Sequence, residues 1–214
     1  MQIIKLKDPV SGLTHALGAL LAVAGLAALV AQGVRHGTVW HVVSYAIYGA
    51  SLIMLYSASA IYHLFPVSEA TGRILRRMDH MMIYVLIAGT YTPFCLVPLR
   101  GVWGWTIFGV IWGCALGGFA LKIFWMNAPR WLYTGIYLAM GWLIVVAGYP
   151  LAKATSSTVL FWMVAGGLFY SLGAVLYATK WPKLWPPVFG FHELWHLFVL
   201  AGSAAHFVAV WNFL

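Results

Sequence analysis

Residues 12–32 read GLTHALGALLAVAGLAALVAQ, a run that contains no Asp, Glu, Lys or Arg side chain. An α-helix rises about 1.5 Å per residue, so about 20 apolar residues cross the roughly 30 Å hydrocarbon core of a bilayer. The run is also longer than the roughly 7–15 apolar residues of a signal-peptide core. It therefore predicts a helix that spans a membrane.

The whole chain has the composition of this segment. Of its 214 residues, 63% are hydrophobic and 7% are charged, and the mean hydropathy is +0.90. In soluble domains about a quarter of the residues are charged, so the chain is predicted to be an integral membrane protein. Cys95 and Cys114 also lie inside apolar runs. We therefore expect two small, buried cysteine side chains and no disulfide.

Charged residues, Pro and Gly interrupt the apolar stretches at six places along the chain. Such breaks mark the connections between spanning helices. The pattern predicts an all-α fold in which residues 1–214 form a single domain, a bundle of seven transmembrane helices. The expected spans are 12–32, 40–64, 79–98, 102–122, 131–149, 157–178 and 192–212.

The Lys and Arg residues are distributed unevenly between the two ends of these spans. Nine fall on the face that holds the amino terminus and three on the other, which predicts a cytoplasmic amino terminus and an external carboxyl terminus. Anionic lipid headgroups beside this basic rim account for the net charge of +8, so we expect a lipid partner and no nucleic acid. The nine are Lys5, Lys7, Arg73, Arg76, Arg77, Lys122, Arg130, Lys180 and Lys183, and the three are Arg35, Arg100 and Lys153.

Polar residues converge at the cytoplasmic ends of three spans. Ser59 and His63 are four residues apart in the second span, as are His192 and His196 in the seventh, so each pair shares one helix face. Asp79, at the start of the third span, falls at the same depth. Ionisable groups inside a membrane are costly and mark functional sites. Three neutral imidazoles with an open fourth position are typical of catalytic zinc, which predicts Zn²⁺ at these three histidines.

Asp79 and Ser59 are the candidate catalytic residues. A carboxylate beside such a site can accept a proton from water, although Asp79 could instead pair with Arg76 or Arg77, or cap the third helix. Ser59 could donate a hydrogen bond to the water or to a developing oxyanion. Its alternative is a hydrogen bond to its own helix backbone.

The remaining ionisable residues are weaker candidates. His15 and His80 lie near the same depth and could orient the site or replace a ligand. Glu193 could be an alternative base, but the segment HELWH lies in a span and does not match the setting of a zinc-protease motif. His206 is ten residues beyond His196, about 15 Å along a helix, and cannot share the metal.

Three segments together resemble the bacterial hemolysin III family, which is related to the progestin and adipoQ receptors and more distantly to the alkaline ceramidases. They are SASAIYHLF (57–65), RRMDHMMIYVLIAGTYTPF (76–94) and HELWHLFVLAGSAAHF (192–207). The resemblance implies that His63, His192 and His196 hold zinc and that Asp79 contacts its water. It also implies a multi-pass protein of the bacterial cytoplasmic membrane.

Two hypotheses of function follow from these residues and the resemblance. In the first, the chain is a zinc-dependent hydrolase of a lipid amide or ester that enters sideways between the helices. In the second, it is a receptor-like or membrane-homeostasis protein in which zinc has a structural role. A channel or a lytic factor is a weaker alternative, since seven spans with the polar cluster near one face differ from the inverted repeats of transporters.

Overall fold

The structure is a computed structural model that describes residues 6–185 and 188–214. Within this part of the chain the regular elements are helices, and no β-strand is present. Lys5, one of the nine basic residues of the predicted cytoplasmic face, lies outside the described residues. The α-helices are α1 (Pro9–His36), α2 (Val39–Leu64), α3 (Glu69–Leu96), α4 (Val102–Phe124), α5 (Arg130–Trp142), α6 (Gly148–Ala154), α7 (Ser157–Thr179) and α8 (Phe191–Trp211).

Six segments of the described chain are long and apolar enough to cross a membrane. The prediction of a membrane-spanning helical protein is confirmed at this level. The predicted third span, 79–98, overlaps the second half of α3. This helix is long enough to cross a membrane but is the least apolar of the long helices. The six segments are Pro9–His36, Val39–Leu64, Val102–Phe124, Arg130–Ala154, Ser157–Thr179 and Phe191–Trp211.

The helix bounds differ from the predicted span bounds at two places, and one predicted alternative, Asp79 as a helix cap, is wrong. Helix α3 begins at Glu69 and not near residue 79, because Ser68 caps it by accepting a hydrogen bond from the Thr71 N–H at 3.3 Å. Asp79 therefore lies inside the helix and cannot be its cap. The fifth span extends to Ala154 and not to residue 149, and a 3₁₀ segment, Leu143–Ala147, separates α5 from α6.

One prediction about the cysteines is also wrong. Cys95 is buried as expected, whereas Cys114 is exposed on the surface of α4. Both are free thiols, which agrees with the expectation of no disulfide. An exposed Cys114 is compatible with a membrane because the outer face of a spanning helix contacts lipid, which suits small apolar side chains.

Helices α1 and α2 pack side by side, and α8 packs against α1 and α7. Helix α3 contacts α2, α4, α5 and α8, while α5 also contacts α7. These contacts form a ring of six helices, and α4 packs against α3 outside it. The ring consists of α1, α2, α3, α5, α7 and α8. This arrangement brings the end of α2 and the start of α8 to the same end of the bundle as the first turn of α1.

Three tyrosines of α2 fix its position along α8. The hydroxyls of Tyr45 and Tyr48 donate to the carbonyls of Val210 and Ser203, each at 3.2 Å, and Tyr56 donates to Ser203 Oγ at 2.6 Å. Such interhelical hydrogen bonds stabilise helix pairs in lipid by about 0.5–2 kcal/mol each. They set the axial register that places the last turn of α2 opposite the first turns of α8.

Candidate metal centre

Three histidines meet where α2 ends and α8 begins. One nitrogen from each of His63, His192 and His196 lies within 4.8 Å of the other two. The closest pair is Nε2 of His63 and Nε2 of His192, at 3.4 Å. His63 and His196 are 3% and 2% exposed, so these imidazoles are almost fully removed from solvent. The predicted i,i+4 pair on α8 and the histidine of α2 thus come together.

Residues of α1 fix the orientation of two of these rings. Nδ1 of His63 lies 3.0 Å from Asp8 Oδ2, and Nδ1 of His196 lies 3.1 Å from the Ser11 carbonyl oxygen. A carboxylate and a carbonyl only accept hydrogen bonds, so both Nδ1 atoms must carry the hydrogen. In the neutral rings this leaves the Nε2 lone pair as the ligand atom, a tautomer choice typical of metal-binding histidines.

Glu193 also belongs to this outer layer. Its Oε1 accepts a hydrogen bond from Ser11 Oγ at 3.0 Å, and its Oε2 accepts one from the Gly190 N–H at 2.8 Å. Both carboxylate oxygens are therefore engaged in joining α1 to the start of α8. This geometry favours a positioning role for Glu193 over the role of alternative base.

The chain before α1 follows the end of α2 closely. The N–H groups of Lys7 and Asp8 donate to the carbonyls of Leu64 and His63, at 3.2 and 2.8 Å. The last carbonyls of a helix lack partners within the helix, and these two bonds satisfy them. The same contact delivers the Asp8 carboxylate to His63, which explains why Asp8 makes no side-chain cap on α1.

Sequence reasoning missed Asp8 and Ser11. Asp8 precedes Pro9, and Asp followed by Pro is a common helix start, so the local signal suggests a cap for α1. Ser11 acts through its backbone carbonyl, which carries no sequence signal. Only the three-dimensional approach of α1 to α2 and α8 identifies these two residues.

Asp79 and Ser59 line one cavity together with His192, His196 and His15. Asp79 is 9% exposed and Ser59 is 1% exposed. Among the described residues Asp79 takes part in no ion pair, so the predicted alternative of a counter-ion to Arg76 or Arg77 is absent. Ser59 Oγ has no hydrogen-bond partner among the described residues, so the predicted alternative of a bond to its own helix backbone is absent too. Both groups are free to meet a ligand in the cavity.

The other two predicted neighbours occupy different positions. The ring of His15 stacks on His196, with 3.8 Å between centroids and 15° between planes. His80 lies one residue beyond Asp79 and packs against Tyr133, 5.8 Å between ring centroids. His206 lines the same cavity away from the cluster, where Tyr170 stacks on it. His15 is therefore the buried neighbour of the three ligand candidates.

Comparison with known proteins agrees with the resemblance in the sequence. A family model of haemolysin-III-related proteins matches residues 4–207. The chain belongs to this family.

Relatives of this haemolysin-III-family chain occur in bacteria and animals. A hemolysin-3 homolog of Bacillus subtilis is 40% identical over 94% of the chain and 91% of that protein. Hemolysin-3 of Bacillus cereus is 40% identical over 94% of the chain and 88% of that protein. The human monocyte to macrophage differentiation factor is 27% identical over 82% of the chain and 72% of that protein. The chain is thus a multi-pass membrane protein of the haemolysin-III-related family.

Proposed function

We propose that this protein is a membrane-embedded hydrolase of a lipid amide or ester, with Zn²⁺ held by His63, His192 and His196. The observation that carries the proposal is the convergence of these three imidazoles, two of which, His192 and His196, line a cavity together with Asp79 and Ser59. We further propose that the site lies near the cytoplasmic face of a bacterial cytoplasmic membrane, as the distribution of Lys and Arg predicts.

The residues present fit such a metal. Imidazole suits Zn²⁺, Cu²⁺, Fe²⁺ and Ni²⁺, and three histidines leave a coordination position for water or substrate. Hydrogen bonds from Nδ1 to Asp8 and to the Ser11 carbonyl are the outer contacts that orient metal-binding histidines. The buried Ser59 hydroxyl, which has no partner among the described residues, supports a ligand beside the cluster.

A bound zinc ion would supply Lewis acidity, which polarises a carbonyl and makes a water molecule more acidic. Asp79 accepts a proton from the attacking water while the water oxygen forms a bond to the carbonyl carbon. Ser59 donates a hydrogen bond to the carbonyl oxygen while negative charge develops there. The carbon–nitrogen or carbon–oxygen bond then breaks, and Asp79 returns the proton to the departing amine or alcohol. No group is oxidised or reduced.

The rest of the cavity suits the acyl chain of a lipid. Away from the histidines its wall includes Leu55, Leu86, Leu138 and Val199, from four helices. Apolar walls favour hydrocarbon and exclude water, which strengthens the electrostatic interactions at the polar end. The cavity is polar near the histidines and apolar elsewhere, so it matches a molecule that has a carbonyl group next to a long hydrocarbon chain.

The test is metal content and turnover measured on the same preparations. We expect about one zinc per chain in the wild type by mass spectrometry, and its loss in His63→Ala, His192→Ala and His196→Ala. Asp79→Asn should keep the zinc and lose the release of fatty acid from a panel of lipid amides and esters. His36→Ala, at the exposed end of α1, is the matched control and should change neither. Turnover by metal-free protein would refute the proposal.

A structural metal is the second candidate, favoured by the contacts of Asp8, Ser11 and Glu193. These residues already join α1 to α2 and α8, and an ion at the histidines would extend the same junction. Cobalt substitution distinguishes the two functions. A spectrum with an exchangeable water supports catalysis, whereas a closed shell of four protein ligands that includes Asp79 supports a structural role.

A further inference from the structure

Lys122 is a buried cation that lacks an anion. It lies in the last turn of α4, its exposed fraction is 0%, and its Nζ has no hydrogen-bond partner among the described residues. No carboxylate of the described chain forms an ion pair with it. Removing an ammonium from water is costly unless opposite charges or hydrogen bonds compensate. Lys122 therefore has neither a carboxylate nor a hydrogen-bond acceptor as partner within this part of the chain.

The aromatic ring of Tyr133 on α5 compensates only in part. Lys122 Nζ lies 3.7 Å from its centroid. A cation–π contact of this kind offsets only part of the cost of removing an ammonium from water. The face of the ring offers no acceptor atom, so the three N–H donors of the ammonium have no acceptor among the described residues. An additional acceptor is needed to satisfy Lys122.

Further polar atoms without partners surround the same tyrosine. His80 of α3 packs its ring against Tyr133, and its Nδ1 is buried with no partner in the described chain. The Thr134 hydroxyl, in a residue that is 3% exposed, also lacks one. His80, Tyr133 and Thr134 line the cavity of the candidate metal centre. Unpartnered groups of Lys122 and His80 thus lie against the ring of Tyr133, and the Thr134 hydroxyl belongs to the next residue of α5.

An anion with several acceptor atoms would satisfy these donors together. A phosphate group offers several acceptor oxygens and negative charge, so one such group can satisfy donors from several helices.

We propose that Lys122 and His80 form a binding site for a phosphate group beside Tyr133, apart from the histidine cluster. The phosphate is that of a membrane lipid headgroup or free phosphate, and the site does not depend on hydrolysis. Basic residues at a membrane surface attract anionic headgroups. The difference here is that Lys122 is fully buried and therefore needs a specific partner rather than a diffuse one.

Thermal unfolding of the purified protein in neutral detergent tests this site with three additives. We use dioleoyl phosphatidylglycerol, inorganic phosphate, and dioleoylglycerol, which has the same chains without phosphate. We expect phosphatidylglycerol to raise the wild-type melting temperature and dioleoylglycerol to leave it unchanged. Lys122→Met should weaken phosphatidylglycerol binding by about 10- to 100-fold, the equivalent of one or more charge-assisted hydrogen bonds. A rise with inorganic phosphate, lost in the same variant, would identify free phosphate as the ligand.

Two further variants separate the site from charge and folding effects. Lys183→Met removes the same charge from an exposed position and should bind phosphatidylglycerol as the wild type does. Lys122→Arg keeps the charge and should retain phosphatidylglycerol binding. This variant provides the test if Lys122→Met protein does not fold. Wild-type protein that responds to neither phosphate source, or Lys122→Met protein that binds phosphatidylglycerol with wild-type affinity, would overturn the proposal. His192→Ala should bind phosphatidylglycerol normally, so failure of the hydrolase proposal is distinguishable from failure of this one.

Discussion

Asp8 orients a ligand candidate from outside the histidine cluster. Its carboxylate accepts a hydrogen bond from His63 Nδ1 at 3.0 Å, across 55 residues of chain. Loss of such an outer partner lowers metal affinity by about 10- to 100-fold. We therefore expect Asp8→Ala to lower zinc affinity by this factor in competition with a chelator.

Glu69→Ala is the matched control for this prediction. Glu69 is a carboxylate in the first turn of α3, and its side-chain partner is exposed Arg73, at 2.6 Å, rather than a histidine of the cluster. Its removal should leave zinc affinity unchanged, since an exposed ion pair contributes at most about 1 kcal/mol to stability. Equal zinc affinity in Asp8→Ala and the wild type would show that Asp8 does not orient His63.

Ser59 gives the second prediction at this scale. If its hydroxyl stabilises a developing oxyanion, Ser59→Ala should lower turnover by about 10²- to 10³-fold and leave zinc content at the wild-type level. Ser57→Ala removes the same group from a different face of α2 and should retain activity. A Ser59→Ala enzyme with unchanged turnover would leave the hydroxyl without a catalytic role.

The histidines could be identified from the sequence, but their outer partners could not. His192 and His196 are four residues apart on one helix, and the alternation of spans brings His63 to the same end of the bundle. Periodicity and topology are enough for this, because both are properties of single helices and their order. Asp8 and Ser11 depend on how closely α1 approaches α2 and α8, and packing at that precision is not encoded in a local pattern.

At the scale of helices, the contact between α3 and α4 depends on Gly118. A Cβ at this position would collide with the ring of buried Tyr84, whereas a Cβ at neighbouring Gly117 meets nothing within 4 Å. Overpacking a tight contact costs about 1–3 kcal/mol. We expect Gly118→Ala to lower the melting temperature in detergent, and Gly117→Ala to leave it equal or raise it, since Ala favours helix. A lower melting temperature for Gly117→Ala than for Gly118→Ala would mean that α3 and α4 are not packed as described.

Helix boundaries were the least predictable part of the elements. Apolar runs mark where a chain can contact lipid, and they do not mark where hydrogen bonding starts. Helix α3 therefore extends ten residues before Asp79, through polar turns that begin at the Ser68 cap. The 3₁₀ segment after α5 was missed for a related reason. The Tyr91 hydroxyl accepts from the Ile144 N–H at 2.9 Å and donates to the Met140 carbonyl at 2.7 Å, so the break is stabilised from another helix.

For the whole molecule, the uneven distribution of Lys and Arg gives a testable orientation. Single cysteines are introduced as Glu69→Cys and Ala154→Cys in a chain without Cys95 and Cys114, at exposed positions on opposite predicted faces. In right-side-out vesicles a membrane-impermeant maleimide should label Ala154→Cys directly. It should label Glu69→Cys only after detergent is added, because the positive-inside rule places that connection in the cytoplasm. The opposite labelling pattern would reverse the proposed topology.

Three of the four acidic residues of the chain, Asp8, Asp79 and Glu193, lie around the histidine cluster. The fourth, Glu69, pairs with Arg73 at the surface. Dissolved salt weakens exposed ion pairs, and the described chain has few of them outside the cluster. Ionic strength should thus have little effect on how the helices pack, while it weakens the attraction of the basic rim for acidic lipids. We therefore expect the salt content of the surroundings to change which lipids accompany the protein rather than whether it stays folded.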